Sequence, residues 1–89
     1  MKHYNIQVIG QVQGVYYRAL AKEKANELDL KGFVRNEPDG SVYLEVEGSS
    51  EQLEKLVTWC RQGPPRSKVE EVITQEGTIV GFKKFEIIR

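Results

Sequence analysis

Arg18 closes the stretch V-I-G-Q-V-Q-G-V-Y-Y-R, Val8 to Arg18, behind two glycines, Gly10 and Gly14. An apolar run (Ile6, Val8, Ile9) stops at Gly10, and a helical pattern begins beyond Tyr17. The order is strand, glycine-punctuated loop, helix start, with a guanidinium at that start. A helix N-terminus carries unpaired N–H groups and the positive end of the helix dipole, so it favours anions. Glycine lets a backbone curl until several N–H groups converge as an anion-binding nest. Arginine adds a forked, permanently charged donor matched to phosphate. The physical reading of the stretch is a phosphate cradle. Two glycines and one arginine also fit a plain strand-to-helix connection with a solvated arginine. The stretch is neither a Walker loop nor a dinucleotide fingerprint, because no G-K-[ST] and no third glycine follow.

The elements that must position these residues follow from hydrophobic period. Tyr4 to Ile9 alternate as a first strand, with Tyr4, Ile6 and Val8 on one face. Leu20, Ala21, Ala25 and Leu28 recur at helical spacing between Tyr17 and Leu30, a stripe broken only by Lys24, and Gly32 is expected to stop that helix. Arg18 then lies in the first helical turn, able to fold back over the glycine loop. Lys31 to Asn36 reads as a second strand. Glu37-Pro38-Asp39-Gly40 is a hairpin turn with Gly40 left-handed, and Ser41 to Glu47 returns with Val42, Leu44 and Val46 inward. Ser49 and Gln52 form a capping-box pattern ahead of a second helix whose face carries Leu53, Leu56, Val57 and Cys60, with Trp59 at its margin. Gly63-Pro64-Pro65 ends it. Lys68 to Gln75 reads as a fourth strand, Glu76-Gly77 as a turn, and Phe82 to Ile88 as a short last strand. Two amphipathic helices need a sheet face to bury against. The order βαββαβ, with a short strand appended, predicts a ferredoxin-like α/β sandwich in one domain, residues 1–89. Within it, His3 reads as a surface imidazole, Glu45 and Glu47 as a solvated face, and Cys60 as a small buried hydrophobe. Arg66 to Lys68 reads as a basic loop, either ordinary surface charge or secondary help for an anion.

The chain also resembles a family. G-Q-V-Q-G-V-Y-Y-R, Gly10 to Arg18, is similar to the acylphosphatase pattern G-x-V-Q-G-V-x-F-R. G-F-V-R-N-E-P-D-G-S-V-Y-L-E-V-E-G, Gly32 to Gly48, resembles that family's second pattern, and G-P-P-R-S-K-V-E-E-V, Gly63 to Val72, also looks familial. Tyr17 stands where the family usually has phenylalanine, and its hydroxyl needs a partner if buried. The resemblance implies an antiparallel sheet with both helices on one face, and hydrolysis of acyl phosphates to a carboxylate and inorganic phosphate. It places the phosphate-binding arginine at Arg18, the water-orienting asparagine at Asn36, and the phosphate loop at Gln13, Gly14, Val15, Tyr16 and Tyr17. On its own residues Asn36 is equally an asparagine preceding a turn, where the residue is common. The implied reaction needs little equipment. The leaving carboxylate has a conjugate acid of pKa about 4, so no general acid is required. A phosphoryl grip and an oriented water suffice, with no metal, no cofactor and no side-chain nucleophile.

Composition bounds the rivals. The chain has 89 residues, with 13 basic and 13 acidic side chains and a formal net charge of zero. Duplex nucleic acid favours a basic excess, whereas a small anion such as phosphate or sulfate needs only a local positive site. An RNA-recognition reading of the same fold fails on the third strand, S-V-Y-L-E-V-E, which is acidic and carries one aromatic. One cysteine excludes an internal disulfide and fits a reducing compartment. No apolar run is long enough to span a membrane and no signal-peptide segment opens the chain, so a cytoplasmic protein is expected; no exposed apolar seam is suggested, so a monomer is expected. The remaining alternative is a non-catalytic phosphate- or carbamoyl-phosphate-binding module, since the same pattern occurs as a domain in larger carbamoyl-transfer proteins.

Overall fold

A computed structural model describes residues 1–89. The elements follow in the order β1 (Lys2–Gln11), α1 (Tyr17–Glu27), β2 (Lys31–Asn36), β3 (Val42–Gly48), α2 (Ser50–Gln62), β4 (Lys68–Gly77) and β5 (Phe85–Ile88). The strands form one sheet in the order β4-β1-β3-β2-β5. Strand alternation sends Ile6, Val8, Val34, Val42, Leu44 and Val46 to the helix-covered face, all fully buried. Leu53, Leu56, Val57 and Cys60 of α2 and Ala21 and Ala25 of α1 close the same core. The alanines let α1 lie close to the sheet, and the βαββαβ sandwich with both helices on one face is as the pattern demands.

The sheet is mixed rather than antiparallel. β1, β3, β2 and β4 pair antiparallel, but β5 pairs parallel with β2, Gly32 beside Phe85 through Arg35 beside Ile88. The reason is topological. β4 occupies one edge, beside β1; the chain then crosses to the opposite edge, where it arrives running the same way as β2. The predicted turn at Glu76-Gly77 is displaced accordingly: β4 continues through Gly77, and the last strand begins at Phe85 rather than Phe82.

Two helix ends differ from the sequence reading. α1 ends before Gly32, because Asp29 takes the left-handed position, φ 57°, that glycine usually fills. The Leu30 and Asp29 N–H groups then donate to the Ala25 and Asn26 carbonyls, a Schellman closure. At the start of α2, the Ser49 hydroxyl accepts from the Gln52 N–H at 3.2 Å, but the Gln52 side chain does not return to Ser49. It reaches the Leu28 carbonyl at 3.4 Å and so ties α2 to the end of α1. The Glu37–Ser41 turn is as expected, with Gly40 at φ 93° and Asp39 Oδ1 accepting from the Ser41 N–H and hydroxyl.

The sharpest correction lies on the sheet face away from the helices. His3 and Glu47 are neither surface imidazole nor solvated carboxylate; they are 3% and 2% exposed. The segment crossing from β4 to β5 covers them, with Phe82 stacked on the His3 ring at 5.8 Å. The Glu47 carboxylate accepts from the N–H groups of Val80, Gly81 and Phe82. His3 Nδ1 lies 2.7 Å from Glu47 Oε2, and Nε2 faces Asn5 Oδ1 at 2.8 Å and Glu45 Oε1 at 3.1 Å. Both ring nitrogens face oxygens, the setting of an imidazolium. The alternation of Glu45 and Glu47 correctly placed them on the outer face; it carried no sign that later chain would lie over it.

This network makes stability depend on pH from both sides. Burial raises the Glu47 carboxyl, but the donors from Val80, His3, Phe82 and Gly81 outweigh it and hold it at about 2, against 4.5 unperturbed. Burial lowers the His3 imidazole, yet its hydrogen bonds to Glu47 and Asn5 and the nearby carboxylate charges outweigh that, and its pKa lies above 6.5. A depressed carboxylate stabilises above its unfolded value and loses that contribution as pH falls. A raised imidazole stabilises below its unfolded value and loses that contribution as pH rises. The network therefore contributes fully between pH 4.5 and 6.5. Thermal unfolding against pH is expected to peak in that window. Glu47→Gln is expected to lower stability at pH 6 by on the order of 3 kcal/mol and to flatten the acid limb; a variant as stable as the parent at pH 6 contradicts this.

Candidate active site

β1, β2 and β5 run in the same direction, so their C-terminal ends share one rim of the sheet. The loop after β1 lies on that rim, and so do Asn36 at the end of β2 and Ile87 in β5. Together they enclose a cleft of about 420 Å³, lined also by Gly14, Tyr16, Arg18 and Arg89.

The loop is built by alternating backbone handedness. Gly14 has φ 74° and Tyr16, the N-cap of α1, has φ 63°. A Cβ on Gly14 would meet nothing within 4 Å, so the backbone angle, not space, calls for glycine there. Tyr16 holds a left-handed conformation without that freedom, at a cost of about 1–2 kcal/mol. Successive N–H groups in such a turn converge on one side. α1 has no side-chain cap and no acidic residue in its first turn. The first hydrogen bond of α1 runs from the Leu20 N–H to the Tyr16 carbonyl at 3.1 Å, and the N–H groups of residues 13–19 find no acceptor within the chain. The helix begins as a set of free donors at the positive end of its dipole.

Arg18 lines this cleft and forms no ion pair or side-chain hydrogen bond. Arg35 of β2 contrasts with it: Arg35 lies on the other face of the sheet, bonded to Glu37 at 2.8 Å and stacked over Phe33 and Tyr43. Asn36 lines the same cleft, and its side-chain amide is unengaged. Thus Arg18, Asn36, Gly14, Tyr16 and Tyr17 meet at one place. The side chains of Gln13 and Val15 do not line it. Gln13 Nε2 instead donates to the Glu37 and Ser41 carbonyls at 2.8 and 2.9 Å, fastening the loop to the β2–β3 turn that follows Asn36. Val15 packs on the core. The Tyr17 ring is buried, and its hydroxyl, the departure from phenylalanine, donates to the Cys60 carbonyl at 2.8 Å. The ring also meets Trp59 at 5.2 Å, so the start of α1 is anchored to the end of α2. Burial pushes the Tyr17 phenol well above its usual range and the Cys60 thiol up to about 12, leaving both un-ionised. Arg66 and Lys68 do not line the cleft. Ile87 and Arg89 do, and sequence reading passed over both. Their only signal is the alternation of β5, which turns residues 87 and 89 to one side.

Comparison with known proteins decides the family. The acylphosphatase family model matches residues 4–87. The chain belongs to the acylphosphatase family. An acylphosphatase of Methylococcus capsulatus is 47% identical over 90 residues, covering 100% of this chain and 98% of that one. One of Marinobacter nauticus is 50% identical over 76 residues, covering 85% and 83%. The crystal structure of acylphosphatase from Bacillus subtilis superposes with a TM-score of 0.97 at 34% identity, each chain covered completely. The match to full-length HypF in its phosphate- and nucleotide-bound form has a TM-score of 0.88 at 28% identity and spans 12% of that protein. This chain is accordingly an enzyme of the acylphosphatase class, and its substrates are acyl phosphates. No helix is long and apolar enough to cross a membrane.

The two Gln13 bonds are the loop's tie to the Asn36 side of the cleft. Gln13→Ala is expected to lower stability by about 2 kcal/mol, since two carbonyls lose their partner, and to raise KM for an acyl phosphate severalfold. Tyr17→Phe, which loses the bond to the Cys60 carbonyl and keeps the ring against Trp59, is expected to cost about 1 kcal/mol. Chemical denaturation and initial rates check both.

Proposed function

We propose that this chain hydrolyses acyl phosphates by direct attack of water on a phosphoryl group held at the start of α1, with Arg18 and Asn36 as the catalytic residues. The observation that carries this reading is the meeting of three unengaged groups in one cleft: the N–H groups of residues 14–19, the Arg18 guanidinium and the Asn36 amide. The loop N–H groups and Arg18 take the non-bridging phosphoryl oxygens, and their charge balances what builds there during transfer. The Asn36 carbonyl oxygen accepts from a water and its NH₂ donates toward the phosphoryl group, which holds that water in line. The water oxygen forms a bond to phosphorus as the phosphorus–acyl oxygen bond breaks. The carboxylate leaves unprotonated, and the water's protons remain with the phosphate.

A phosphate- or carbamoyl-phosphate-binding module would need the grip but not the water-orienting amide, and Asn36 opening beside Arg18 favours the enzyme. A single chain supplies every group the reaction requires, so we read it as acting as a monomer.

The two roles separate kinetically. Arg18→Ala is expected to lower kcat/KM for acetyl phosphate by about 10³-fold and to abolish competitive inhibition by inorganic phosphate. Asn36→Ala is expected to lower kcat by about 10²-fold while inhibition by phosphate survives. Circular dichroism establishes that each variant folds. A folded Arg18→Ala protein that hydrolyses at the parental rate contradicts the assignment.

A further inference from the structure

The cleft is larger than its phosphoryl grip. At about 420 Å³ it falls within the range, about 300–1,000 Å³, of pockets that take whole small molecules. Arg18 and the loop line it, and so do Ile87 and Arg89 of the last strand and its end. β5 lies parallel against β2, with Ile87 beside Val34, and alternation turns Ile88 away to the open side. Ile87 is half-buried against the core and forms an apolar wall; the Arg89 guanidinium beyond it has no acidic partner. No acidic residue lines the cleft at all. This local imbalance stands in a chain whose formal charge is zero. A cleft lined by two unpaired guanidinium groups and an apolar side chain carries more positive charge than one phosphoryl group requires.

We infer that Arg89 is a specificity-determining residue which selects acyl phosphates whose acyl group carries a carboxylate at its far end. The inference rests on the catalytic reading above, in which Arg18 is committed to the phosphoryl group and the acyl chain extends along Ile87. The acyl methylenes lie on the isoleucine, and the terminal carboxylate meets the second guanidinium, a geometry arginine suits better than lysine. Arg89 touches no reacting atom, so its effect falls on substrate binding.

The test uses the full chain, with butyryl phosphate and succinyl phosphate as substrates of equal carbon count, one neutral and one carboxylated at the far end. For the parent, kcat/KM is expected to be higher for succinyl phosphate. Arg89→Gln is expected to lower succinyl phosphate kcat/KM by about fivefold, the upper end for an exposed ion pair, through KM, while butyryl phosphate is unaffected. Arg89→Lys is expected to recover part of the loss, and the preference is expected to shrink as salt is raised. Equal losses on both substrates would assign Arg89 to the phosphoryl group or to folding and overturn the inference, as would no loss on either. A parent that hydrolyses butyryl phosphate without preferring succinyl phosphate overturns the inference alone. A parent that hydrolyses neither overturns the catalytic reading and the inference with it.

Discussion

The first turn of α1 has donors and no acceptors, and the rest of the site is arranged around that fact. A helix normally receives a side-chain oxygen at its N-cap. Here the N-cap is Tyr16, held left-handed and offering no cap, and no acidic residue follows. Local stability is sacrificed to leave these N–H groups without an acceptor in the chain. What keeps the turn in place is not local. Gln13 fastens it to the β2–β3 turn, and Tyr17 fastens it to the end of α2. The strained residue is thus bracketed by two anchors, Gln13 half-buried and Tyr17 buried, which is how an unfavourable backbone angle persists in a folded chain.

The opposite end of the sheet has a part in this. β5 can reach the cleft only if the chain crosses from the β4 edge to the β2 edge, and a crossing segment carries backbone donors over an outer sheet face. Glu47 takes three of them, and His3 neutralises and orients Glu47. The Lys84 carbonyl then accepts from the Gly32 N–H as β5 begins its register on β2. A buried ion pair is an expensive way to stabilise a fold. Here it secures the path that delivers Ile87 and Arg89 to the rim beside Arg18, some distance from the charges themselves.

Elements with a strong period were legible in the sequence. Ile6 and Val8, the 42-44-46 alternation and the Leu53-Leu56-Val57-Cys60 face each demanded a buried side, and each has one. The place of Arg18 in the first turn of α1 was legible from the helical period, whereas Asn36 was singled out by the family resemblance, and both line the one cleft. The parts that were not legible depend on contacts between distant segments. His3 and Glu47 look like surface residues until residues 80–82 lie over them. Asp29 rather than Gly32 closes α1, because an aspartate in the left-handed region looks like any exposed acid in a sequence. The parallel pairing of β5 follows from which edge β4 occupies, a choice no local period records, and with it went the contribution of Ile87 and Arg89 to the cleft.

The account stands on the start of α1 as the place where a phosphoryl group is held. The most direct measurement is amide chemical-shift mapping of the folded chain as inorganic phosphate is added. The expected result is saturable shifts concentrated at the N–H groups of Gly14 to Ala19, with the Arg18 Nε–H moving alongside them and the amides of β4 unmoved. Shifts centred elsewhere, on the basic loop at Arg66 to Lys68 for example, or none at Gly14 to Ala19 at saturating phosphate, would contradict it.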